Sequence, residues 1–244
     1  MLSLIKNELF KLFHSKKIYV FAIIITALAI LGSITMKKQM PAAEITLHIV
    51  PQFMLVAVME AIMVIFSVVL ISDMITDEYK CGTLKLPMLH PISRLQYFAS
   101  KVISVVIITV LILLFTMVIS YILNFIILGT GGALDVSEFL NVLKAYILST
   151  LPLLAFDMII FFIAINLSSG GAAIGLSLGL YFALEIAGQI IKGSGKYLIT
   201  TYFTLFIDKA PKDTLIEGLI AIGLYSIVFF LISQIIFKRK DILE

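Results

Sequence analysis

The sequence predicts an all-α integral membrane protein, with an N-terminal amphipathic helix followed by six transmembrane helices. Two observations predict it. Hydrophobic residues make up 61% of the 244 and charged residues 14%, against roughly 45–50% and about 25% in soluble domains. Surface of that kind has to be solvated by lipid. The apolar runs are also continuous and about twenty residues long, the length a helix needs to cross the hydrocarbon core. A β-barrel would show alternating runs of about ten residues. Helices are the default because their backbone hydrogen bonds close within the segment.

Residues 1–17 predict a cytoplasmic interfacial helix. Leu2, Ile5, Leu9, Leu12 and Phe13 recur at helical spacing, while Asn7, Glu8, Lys11 and His14 fall on the other face. Lys6, Lys16 and Lys17 can snorkel, so the helix suits an anionic leaflet. No small-residue cleavage site follows Leu31, and the basic-then-apolar start reads as an uncleaved anchor.

Residues 18–237 hold the six-helix domain. The first span is 18–36, closed by Lys37 and Lys38. The second is 51–72, with Pro51 at a tolerated helix start and Glu60 inside. The third, 102–128, is about 40 Å long at 1.5 Å per residue, so it tilts or protrudes. Its Ser104, Thr109, Thr116, Ser120 and Asn124 are polar groups for helix contacts. A glycine-rich break at 129–132 and a loop without Lys or Arg lead to the fourth span, 139–167, which carries Lys144, Pro152 and Asp157. A tight turn at 168–170 precedes the fifth, 171–191, with Glu185 near its far end. The apolar stretch 197–207 is too short to cross as a helix and predicts a short outer interfacial or re-entrant helix. The sixth span is 214–237, and a basic tail, 238–244, follows.

An even number of spans puts both termini on one side. With the termini inside, the cytoplasmic set holds Lys6, Lys11, Lys16, Lys17, Lys80, Lys85, Arg94, Lys101, Lys238, Arg239 and Lys240. The outer set holds Lys37, Lys38, Lys144, Lys192, Lys196, Lys209 and Lys212. The positive-inside bias therefore predicts a multi-pass plasma-membrane protein with cytoplasmic termini. The net charge of +3 gives no reason to expect a nucleic-acid partner.

The segment 73–101 is the longest charged interval between two apolar runs. Ions at mid-bilayer cost roughly 2.5–3.5 kcal/mol each, so it lies at a membrane face. Gly82 permits a tight turn, Pro87 and Pro91 break helical propagation, and Ser93 can cap the next helix. The residues describe a short helix flat on the membrane. By themselves they fit a docking element and a solvated loop equally well.

The order Glu78, then Gly82-Thr83-Leu84, then Pro91-Ile92-Ser93-Arg94, then Lys101 resembles the signature of ABC-2 type transporter permeases. The layout of amphipathic helix, six spans and outer element before the last span is similar too, so the resemblance covers essentially the whole chain. Tyr79 and Cys81 stand where more polar residues are common in that family, and Pro87 shortens the helix. The resemblance implies a small permease subunit of a bacitracin- or lantibiotic-type exporter. It implies a second copy or paralogue in the membrane and two ABC ATP-binding subunits holding ATP and magnesium, with no cofactor on this chain. It also implies that Glu78, Gly82, Thr83, Lys85, Pro91, Ser93 and Arg94 shape the surface of a cytoplasmic coupling helix that meets the ATPase.

Other residues carry weaker signals. Gly171, Gly175, Gly179 and Ala183 lie four apart, a spacing that lets another helix approach closely, within the chain or in a dimer. Glu60, Asp157 and Glu185 are intramembrane acids and so candidates for a transport pathway, although a buried Asp157 also fits structural hydrogen bonding. Gly195-Lys196 lacks a phosphate loop's first glycine, replaced by Ile190, and its hydroxyl, replaced by Tyr197. His14, His48 and His90 have no metal spacing. The lone Cys81 excludes an internal disulfide. No constellation for catalysis occurs, so the chain is expected not to be an enzyme. Two rival functions fit the same residues: an ion-coupled secondary transporter using Asp157 or Glu60, and a membrane sensor or scaffold that moves nothing.

Overall fold

The computed structural model describes residues 1–39, 41, 46–80, 93–129, 135–191, 193–207 and 211–239. Its elements are helical throughout. The elements are α1 (Leu2–His14), α2 (Lys16–Gln39), α3 (Ile49–Lys80), α4 (Arg94–Leu128), α5 (Val136–Leu148), α6 (Thr150–Asn166), α7 (Gly170–Ile190) and α8 (Lys212–Arg239). Six helical segments are long and apolar enough to cross a membrane, with α5 and α6 forming one of them. That is compatible with a multi-pass membrane protein. A single extended residue, Ser15, separates α1 from α2.

Three boundaries differ from the sequence reading, each for a physical reason. Helix α3 runs on to Lys80 and α4 starts at Arg94, so both flanks of the 73–101 segment are helical. Asp77, Glu78 and Lys80 are tolerated within an α-helix, and neither Gly nor Pro intervenes before Gly82. The start of α4 is fixed by a capping box: the Gln96 amide donates to Ser93 Oγ at 3.2 Å, and the Ser93 amide donates back to Gln96 Oε1 at 3.4 Å. The fourth span is broken at Ser149. Pro152 lacks an amide hydrogen, and its ring crowds the carbonyl of residue 148, where α5 stops. The stretch 197–207 holds a short 3-10 turn, Ile199–Tyr202, and further turns in place of an α-helix, with Ile199, Tyr202 and Phe203 buried.

Helices α3, α4 and α6 form the interior, and α8 lies along α6. Phe98 of α4 packs on Phe161, Phe230 and Phe237 at centroid distances of 5.6, 5.6 and 5.8 Å. Helices α2, α7 and α8 turn Ile23, Leu31, Leu176, Phe182, Leu224 and Ile227 outward. In water that apolar surface would cost about 25 cal/mol per Å²; lipid removes the penalty.

One end of the bundle, here called basal, carries α1, the end of α3, the start of α4 and the end of α8. At the opposite, distal end the Asn124 amide donates to the carbonyls of Thr46 and Leu47, at 3.1 and 2.6 Å. Also distal is a close approach at Gly218, where a Cβ would lie 2.5 Å from Leu205 Cδ2 and 2.9 Å from Tyr202 Cδ1.

Candidate functional site

At the basal end five side chains from three elements close into one charge network. Helix α1 supplies Glu8 and Lys11, α3 supplies Glu78, and α4 supplies Tyr97 and Lys101. Lys101 Nζ lies 3.2 Å from Glu8 Oε2, 2.7 Å from Glu78 Oε2 and 3.2 Å from the Met74 carbonyl. An ammonium has three protons, so Lys101 is fully satisfied although none of its surface is exposed. The Tyr97 hydroxyl donates to Glu78 Oε2 at 2.5 Å, and Lys101 Nζ sits 4.9 Å from the Tyr97 ring centroid.

Lys11 completes the network. Its Nζ is 2.7 Å from Glu8 Oε1 and 2.8 Å from Glu78 Oε1. Each carboxylate thus receives one ammonium on each oxygen, and two anions balance two cations. Partial burial alone would pull the Lys11 ammonium down, but the hydrogen bonds and charges of Glu78 and Glu8 outweigh it and hold its pKa above the ordinary lysine value. Desolvating these ions is costly, and only complete pairing offsets it. The network is therefore a stiff joint: α1 cannot leave α3 and α4 without stranding Glu8 and Lys101.

Two further contacts brace the same end. Lys17 pairs with Asp73, tying the start of α2 to α3. Arg94 Nη1 donates to the Lys238 carbonyl at 2.7 Å, a cation at the C-terminus of α8, where the helix dipole favours it.

The candidate residues from the sequence fall into five groups. Glu78 faces into the network, Ser93 is the N-cap of α4, and Arg94 holds α8. Gly82, Thr83, Lys85 and Pro91 lie outside the described residues, as does all of 81–92, the middle of the 73–101 segment in which a coupling helix is expected. Gly171, Gly175, Gly179 and Ala183 run along an exposed face of α7, and a Cβ on Gly175 or Gly179 would meet nothing within 4 Å. Glu60 and Glu185, far apart in sequence, line one distal cavity. Asp157 is buried at 1% exposure in α6, and its Oδ1 has no hydrogen-bond partner among the described residues.

Sequence reasoning missed Glu8 and Lys11 by assigning both to a solvated face. The available signal was Lys101 itself: an ammonium at the mouth of an apolar run needs a countercharge. Ser93 offers a local check on the geometry. Ser93→Ala is expected to cost about 1 kcal/mol and to speed hydrogen exchange at the first amides of α4. Exchange in the middle of α4 should stay unchanged.

Comparison with known proteins gives kinship without an activity. The uncharacterized protein YhcI of Bacillus subtilis (strain 168) is 26% identical over 200 residues, covering 73% of this chain and 64% of that protein. The chain thus spans less than two thirds of the relative's length. Residues 19–243, nearly the whole chain, match a family described as a protein of unknown function: the chain belongs to the DUF2705 family.

Proposed function

We propose that this chain is the permease subunit of an ATP-binding-cassette exporter. The basal end faces the cytoplasm, and residues 81–92, with the helix ends that flank them, meet the ATP-binding subunit. One observation carries the reading. The buried network of Glu8, Lys11, Glu78 and Lys101 joins α1 to the two helices that leave and re-enter the bundle on either side of residues 81–92. A push on that segment therefore moves α1, α3 and α4 together. Helix α3 has 32 residues, about 48 Å at 1.5 Å each, and its distal half carries Glu60. Work delivered at the base reaches the far side along one helix.

The partners are two ATP-binding subunits, which hold ATP and magnesium, and a second permease copy or paralogue. The exposed Gly171, Gly175, Gly179 and Ala183 face of α7 is available for the latter. The apolar interior and polar outer loops suit an amphiphile such as an antibiotic peptide or a lipid.

The lone cysteine makes the test simple. Cys81 lies within the segment assigned to docking. A membrane-impermeant maleimide is expected to label it in inverted vesicles and not in intact cells. A thiol-directed cross-linker at Cys81 should capture an ATP-binding subunit from the native host. Labelling from outside, or purification in mild detergent without any ATP-binding subunit, overturns the proposal.

A second reading draws on Asp157. A buried carboxyl with an unpartnered oxygen fits a proton site in an ion-coupled transporter. That reading expects flux that follows a pH gradient, ignores ATP and is lost in Asp157→Asn. The exporter reading expects Asp157→Asn to retain ATP-dependent flux.

A further inference from the structure

The distal cavity has a volume of about 600 Å³, within the range of roughly 300–1,000 Å³ typical of small-ligand sites. It opens between α3, α7 and the turns at 194–204. Glu60 and Glu185 line it, and neither carboxylate has an ion-pair or hydrogen-bond partner among the described residues. No Lys or Arg among the described residues lines it. The nearby Lys196 lies 3.9 Å from Glu217.

Three further features of the lining point to a ligand. Thr200 is only 6% exposed and lines the cavity, where its side chain adds a polar group to the wall. Tyr181 and Phe203 also line the cavity, stacked at 6.4 Å and 17°, and an aromatic surface attracts cations. Glu60 sits in a π-helical turn, Val58–Ile62, whose carbonyl at Glu60 accepts the Tyr181 hydroxyl. Such turns recur at functional sites because they release backbone groups from the α-helical ladder.

We propose that this cavity binds lipophilic organic cations, with the positive centre between Glu60 and Glu185 and an apolar body against Tyr181 and Phe203. Identifying that ligand as the exported cargo rests on the permease reading. The binding itself does not, because every residue involved belongs to this one chain.

The test uses the purified full chain in nanodiscs of neutral lipid, with tetraphenylphosphonium as the probe and empty nanodiscs as background. Saturable binding is expected. Glu60→Gln and Glu185→Gln should each weaken it by about tenfold, the scale of one charged contact, and the double variant should lose it. The anion tetraphenylborate should show no saturable component. Neither carboxylate is paired, so the variants should unfold at the wild-type temperature; if the double variant does not fold, the two single variants decide. Absence of saturable binding, equal binding by the double variant, or equal binding of tetraphenylborate overturns the proposal. Failure here would leave Cys81 cross-linking to an ATP-binding subunit unaffected, so the two proposals fall separately.

Discussion

Lys101→Met is expected to produce the largest loss of stability of any single substitution at the basal end. The ammonium is wholly buried and bridges Glu8 and Glu78. Methionine has similar length but removes the charge and the three N–H donors that reach Glu8, Glu78 and the Met74 carbonyl. It leaves two carboxylates in a nearly closed site with Lys11 as their sole ammonium. Breaking a buried pair by deleting one partner costs about 3–5 kcal/mol. Thermal unfolding in detergent, read by tryptophan-independent light scattering or far-ultraviolet dichroism, measures the loss. Lys17→Ala supplies the contrast: that pair is partly exposed, and surface ion pairs contribute about 0–1 kcal/mol. Adding Glu8→Gln and Glu78→Gln to Lys101→Met should recover part of the loss, because neutral amides tolerate burial better than unpaired anions. If Lys101→Met proves no more harmful than Lys17→Ala, the network is not the joint described above.

Gly218→Val is expected to be the most damaging change at the distal end. A Cβ there would lie 2.5 Å from Leu205 Cδ2 and 2.9 Å from the Tyr202 ring. Leucine can rotate away, but the ring belongs to a buried residue whose hydroxyl donates to the Lys196 carbonyl at 2.8 Å. Either α8 or the turn at 199–205 has to move. Overpacking of this kind costs about 1–3 kcal/mol. Gly223→Ala, on the same helix, meets nothing within 4 Å and should be neutral or stabilising by up to about 1 kcal/mol, since alanine favours helix. Comparable unfolding temperatures for Gly218→Val and Gly223→Ala would refute the close approach. A lower temperature for the former, with weaker tetraphenylphosphonium binding, would tie the turn to the cavity.

The six helices long and apolar enough to cross a membrane were legible because one rule governs every such span: enough apolar residues in a row. That rule works in one dimension and needs no knowledge of neighbours. Helix ends were less legible. The sequence reading stopped the second span at Ser72, where charge begins, whereas α3 continues to Lys80, because charge ends a bilayer without ending a helix. Glu8 shows the limit of amphipathic reasoning. The pattern assigned it to the face away from Leu9 and Leu12, yet Glu8 and Leu12 are four apart, share one face of α1 and are both buried. Only the fold brings Lys101 across a separation of 93 residues. The distal cavity was hidden for the same reason. Glu60 and Glu185 were each recognisable as acids within apolar runs, but nothing in their spacing says that they share a void.

The Glu8–Lys101 bond also bears on how the chain is made. Glu8 leaves the ribosome long before Lys101, so α1 first exists with Lys11 as the one ammonium beside that carboxylate. Helix α4 then delivers Lys101 to a site where Glu8 is already waiting and Glu78 has just arrived. Nascent chains halted before residue 101 should therefore remain open to protease at the amino-terminal helix, and chains extended past it should become resistant.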